Sequence, residues 1–175
     1  MSETLRNAVA WVGIIVLLLG GYAYRDEIQH VGHRITLGLV PGSAVTRLTD
    51  EGTAQVSVGR DRSGHFVVTA ELDGTPIRML VDTGATTIAL SHRDAARIGV
   101  PVERLRYTLP IATANGMARA AQVTLDSVVL GGIERRGLRA TVSEPGALSG
   151  SLLGMNFVGT LASFEIRGER LILRD

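Results

Sequence analysis

The chain has 175 residues, 45% of them apolar, and a formal charge of +1 with acids and bases interspersed. That suits one domain plus an appendage and gives no basic stripe for nucleic acid. It contains no cysteine, so disulfides, thiolate catalysis and zinc-thiolate sites are excluded together. Glycine is abundant at 21 residues and aromatics are scarce at 4%, a balance suited to an all-β chain with tight turns and an aliphatic core.

After a short tail at residues 1–7, residues 8–24 read AVAWVGIIVLLLGGYAY, uncharged between Arg6 and Arg25. This is about the length that crosses a hydrocarbon core of roughly 30 Å as a helix, and a transmembrane helix over 8–24 is expected. A cleaved signal peptide is the alternative, because Gly21 and Ala23 are small where a signal peptidase needs small residues. The long apolar core and weakly basic start favour an uncleaved anchor. Trp11, Tyr22 and Tyr24 fit an aromatic belt.

Arg6 and the terminal amine stand against Arg25 and Arg34, so the charge bias across the span is small. Single-span anchors of this bacterial type leave the short end in the cytoplasm. The expectation is therefore a single-pass inner-membrane protein with its domain in the periplasm. Residues 25–50 lack a period and end in turn formers, and read as a spacer. His30 and His33 there share a helical face, but with no third ligand they read as solvated; no metal and no cofactor are expected.

Beyond residue 50 the period changes to two. Strands are expected at 55–58, 65–72 and 75–81, with Asp73-Gly74 as a hairpin turn, and a further strand at 86–90. Ser91 as N-cap, Asp94 in the first turn and Gly99 as stop predict one short helix. Further strands are expected at 105–112, 117–123, 123–130, 138–142, 162–166 and 170–173, with turns at Asn115-Gly116 and Gly131-Gly132. Residues 51–175 thus read as one small, mainly antiparallel β domain.

The stretch MLVDTGATTIAL, residues 79–90, places Asp82 at the end of a strand that reads as buried. An ionised carboxylate there needs a partner or hydrogen-bond donors. Gly84 lets the backbone turn and frees its amide to donate to the carboxylate, and the Thr83 hydroxyl can hold the loop. The alternative is an aspartate that merely caps a turn.

The sequence resembles the retropepsin-like aspartic proteases of the membrane-anchored bacterial type. The resemblance rests on residues 66–68 through LVDTGATTIALS, on ATANG at 112–116 and on SLLGMNFVG at 151–159. It implies a mainly β fold, a small closed antiparallel barrel with one or two short helices, preceded by the transmembrane helix. It implies that Asp82 is catalytic, in an active-site loop with Thr83, Gly84, Ala85 and Thr86, and that Thr83 braces the partner's loop. Thr113, Ala114, Asn115 and Gly116 would form a flap over the substrate. Leu152, Leu153 and Gly154 would be a supporting loop beneath the site, with a short helix from Met155 behind it. Where retroviral enzymes tend to carry acids after the catalytic loop, this chain has Thr86 and Thr87.

Only one Asp-Thr-Gly is present, with no internal repeat. Peptide hydrolysis by this route needs two carboxylates sharing a proton, so a homodimer is expected, acting on a peptide or protein with an acidic-side optimum. A non-catalytic dimeric peptide-binding module of the same fold is the alternative. An aspartyl-phosphate enzyme is disfavoured, because the chain lacks the alternating helices and further acids of that chemistry.

Overall fold

Short apolar alternations separated by glycine-bearing turns bury one face per strand, and the stable outcome is sheets that share a core. The computed structural model describes residues 44–48, 54–113 and 116–175. The membrane span expected over 8–24, His30 and His33, and flap residues Ala114 and Asn115 lie outside them. Among the described residues no helix is long and apolar enough to cross a membrane.

The described residues begin with β1 (Ala44–Leu48) and β2 (Ala54–Gly59), an antiparallel pair. β1 falls within the stretch expected to be spacer, so the folded region reaches back into it. Next come β3 (Val67–Leu72) and β4 (Thr75–Val81). β3 buries Val68, Ala70 and Leu72 and turns Thr69 and Glu71 outward; β4 buries Ile77 and Met79. Asp73 and Gly74 join them with φ of 49° and 78°, the positive pair that matches the twist of a two-residue hairpin. The Asp73 side chain accepts from the Ser127 amide at 2.8 Å, tying this turn to a later strand.

β5 (Ile88–Leu90) leads into helix α1 (His92–Arg97), a single 3-10 turn at Val102–Arg104, and β6 (Leu109–Thr113). β7 (Gly116–Leu130) runs through the boundary where two strands were expected, since no turn former interrupts it, and returns through Gly131-Gly132 as β8 (Ile133–Ser143). β9 (Ser151–Leu153), helix α2 (Met155–Val158), β10 (Ser163–Arg167) and β11 (Arg170–Arg174) complete the chain.

Six strands, in the order β3-β4-β9-β5-β8-β7, close on themselves because β7 also pairs with β3 at Leu72–Val128 and Glu71–Val129; β6 extends the sheet beyond β7. The fold is therefore a closed, mainly β barrel with two short helices, as expected, but it is not wholly antiparallel. β9 inserts between β4 and β5, running parallel to β4 and antiparallel to β5, and β5 in turn runs parallel to β8. A second, antiparallel sheet has the order β1-β2-β11-β10. Its Val56, Val58, Leu171 and Leu173 are buried in the same core as Phe157 and Leu153 of the barrel.

Candidate active site

Asp82 follows directly on β4, and its amide donates to the Leu153 carbonyl at 3.1 Å. The Gly84 amide donates to Asp82 Oδ1 at 2.8 Å, and the Ala85 amide donates to the Asp82 carbonyl at 3.2 Å. A residue with a Cβ at position 84 would bring that atom within 3.2 Å of Asp82 Oδ1, so glycine leaves the carboxylate room as well as a donor.

The loop rests on the segment that follows β9. The Met155 amide donates to the Ala85 carbonyl at 2.8 Å and the Asn156 amide to the Thr86 carbonyl at 3.0 Å. The Asn156 side chain accepts from the Ile88 amide at 2.9 Å and donates to the Arg139 carbonyl at 2.7 Å. Gly154 makes this contact possible. A Cβ there would lie 2.3 Å from the Thr87 carbonyl oxygen and 2.8 Å from that of Ala85, closer than backbone and side chain can pack.

Asp82 is half-buried, and Thr83 and Gly84 are exposed. The carboxylate therefore does not stand in a sealed strand end as its sequence position implied. The turn lifts it out of the core to the edge of a cavity of about 900 Å³. Gly84, Ala85, Thr86 and Thr87 line this cavity from the loop, Ile111 and Thr113 from β6, Gln122 from β7, Arg139, Thr141 and Ser143 from β8, and Leu152 from β9.

Behind the loop Ser91, Asp94 and Ser151 form a buried polar cluster, joined by the half-exposed Arg97. Asp94 is 3% exposed. Its Oδ2 accepts from the Ser91 and Ser151 hydroxyls, each at 2.8 Å, and its Oδ1 accepts from Arg97 at 3.1 Å. The Ser91 hydroxyl also accepts from the Asp94 amide at 3.1 Å, capping α1. Burial pushes the Asp94 carboxyl up, but hydrogen bonds from Ser151, Ser91 and Arg97 outweigh it and hold the group below its usual value. The cluster joins α1 to β9, whose next residues support the Asp82 loop.

Residues 68–160 match the family described as "gag-polyprotein putative aspartyl protease". The chain is 36% identical to a retropepsin-like aspartic protease from Rickettsia conorii, with a TM-score of 0.64 over 75% of this chain and 94% of that one. It belongs to the retropepsin-like aspartic protease family. Two further proteins are similar over most of the chain. One is a Sinorhizobium protein called "Uncharacterized protein in cobV 5'region", 42% identical across 99% of this chain and 75% of its own length. The other is the Rickettsia prowazekii protein RP867, 36% identical across 93% of this chain and 68% of its own.

Of the residues singled out in the sequence, this retropepsin-like fold brings Asp82, Gly84, Ala85, Thr86, Thr113 and Leu152 to one cavity. Thr83 is exposed outside its lining, while Leu153 and Gly154 are buried beneath the loop. Leu152 and Leu153 are strand residues of β9, not a loop as expected. The β6–β7 ladder ends on the Thr113–Gly116 pair, one residue earlier than a turn at Asn115-Gly116 requires, with the Thr113 hydroxyl donating to the Gly116 carbonyl at 2.8 Å. Sequence reading assigned no role to Asn156, Ser151 or Arg139. Their contacts lie far along the chain, 68 residues in the case of Asn156 with Ile88, and no local pattern marks them.

Proposed function

We propose that the chain is one half of an aspartic endopeptidase, with Asp82 from each of two copies forming the catalytic pair. The carrying observation is the Asp82 loop itself. It occurs once per chain, sits at the edge of a cavity, and is held by backbone bonds from β9 and α2. One carboxylate takes a proton from water as the oxygen attacks the peptide carbonyl carbon. The other, carrying the shared proton, donates it to the carbonyl oxygen. Collapse of the tetrahedral intermediate breaks the C–N bond, with the amine leaving protonated. The β6–β7 hairpin, ending at Thr113 and Gly116 beside the cavity, serves as the flap that excludes water.

A second copy has a fitting surface. β10 is the outer strand of its sheet, and its Phe164 and Ile166 are 41% and 57% exposed. An open strand edge with apolar side chains favours pairing with another strand. The domain is carried on a retained membrane anchor at residues 8–24 and faces the periplasm, which restricts cutting to substrates near the membrane.

Incubating the full chain with peptides, with and without Asp82→Asn, and sequencing the products tests this reading. Hydrolysis by the parent with a loss of about 10³-fold or more in the variant is expected. Equal hydrolysis by the variant overturns Asp82 as the catalyst, and peptide binding with no hydrolysis by the parent leaves a binding module in its place.

A further inference from the structure

The cavity beside Asp82 has one charged wall. Along β8 the period of two sends Ala140 and Val142 into the core, both 0% exposed, and presents Arg139, Thr141 and Ser143 to the cavity. Arg139 and Asp82 are the only charged side chains among the described residues that line it. The two other arginines on this strand are occupied, Arg135 by Asp175 and Arg136 by Glu134. The Arg139 guanidinium has no carboxylate partner among the described residues. The loop carries Thr86 and Thr87, and the strand opposite carries Gln122, Thr124 and, one step beyond, Asp126; Arg139 forms an ion pair with neither Asp126 nor Asp82.

The backbone beneath Arg139 is fixed, since its carbonyl accepts from Asn156, the same side chain that binds Ile88 at the end of the catalytic loop. A guanidinium on a fixed strand, in a concave site and not ion-paired there, presents donors in a fork that matches a carboxylate.

From this we infer that Arg139 is a specificity-determining residue that receives a carboxylate of the bound peptide. The inference rests on the peptidase reading for the identity of the cavity. It makes the preferred substrate a peptide with Glu or Asp at a fixed distance from the cleaved bond. In a two-fold dimer the same guanidinium recurs on the other side of that bond, so a second acidic position is favoured in mirror order. A peptide's C-terminal carboxylate has the same chemistry as an acidic side chain, and the test separates the two.

The test uses the full chain carrying Asp82→Asn, so that binding is read without hydrolysis, and a fluorescent panel of peptides blocked at both ends. Each peptide places a single Glu at a successive position and has a Gln counterpart; a further set has a free C-terminus and no Glu. Roughly tenfold tighter binding of Glu than Gln peptides at particular positions is expected. The preference is erased by Arg139→Gln, kept in part by Arg139→Lys and turned toward Lys peptides by Arg139→Glu. Arg136→Gln, on the same strand outside the cavity, keeps it. Equal binding of Glu and Gln peptides, or a preference that survives Arg139→Gln, overturns the inference. Binding gained only with a free C-terminus overturns the side-chain assignment. Hydrolysis of any panel peptide by the chain with Asp82 intact is scored separately and reports on the peptidase reading alone.

Discussion

Asp94 shows how a charge is kept inside a small β protein. Its two oxygens take hydrogen bonds from two serines and an arginine, so the ionised form is favoured despite burial. Because the carboxyl in the folded chain lies below its ordinary value of 3.8, its contribution to stability is fully present above that pH. It is lost as the pH falls through the folded value. Asp94→Asn is expected to lower stability by about 2 kcal/mol at neutral pH, with the gap between variant and parent narrowing below about pH 3.8. Urea unfolding of both at several pH values checks this, and a gap independent of pH counts against it. Ser91 and Asp94 were legible in the sequence as a helix cap. Ser151 was not, because its hydroxyl reaches Asp94 across 57 positions of sequence.

At the scale of elements, β10 carries the clearest consequence. Phe164 and Ile166 lie on the face that Leu173 and Leu171, their cross-strand neighbours, bury in the core. The charges on β10 do not guard the edge, since Glu165 is already paired with Arg167 and Arg174. Replacing both apolar residues by Glu leaves the core intact and is expected to weaken self-association by roughly tenfold or more, with activity falling in parallel. Sedimentation velocity alongside a thermal melt measures this; unchanged association in a folded variant removes β10 from the interface. Most strands were legible because one face of each is apolar, and the α1 cap and the Asp73-Gly74 turn were legible because their chemistry is local. β9 was not, since three residues carry too little alternation to declare a strand. With β9 went its parallel ladder to β4, and the parallel β5–β8 ladder was not legible because its two strands lie far apart in the chain.

For the whole molecule, the anchor proposed at 8–24 would set where the chemistry takes place. Confinement to a plane raises the effective concentration of one copy for another, so a modest interface suffices for pairing. On the proposed periplasmic placement of the domain, protease added to intact spheroplasts is expected to remove the domain from the membrane fraction, while a cytoplasmic control survives. Protection until lysis reverses the orientation.

The placement of β9 also orders events in time. Asp82 donates its amide to Leu153, and the rest of its loop leans on residues 155 and 156, all near the end of the chain. While the polypeptide is being synthesised from its amino terminus, Asp82 emerges long before the strand that shapes its loop. A nascent or truncated chain that stops short of β9 therefore holds the aspartate without the geometry of its loop, and on the proposed peptidase reading it would be inert toward itself and its neighbours until the barrel closes.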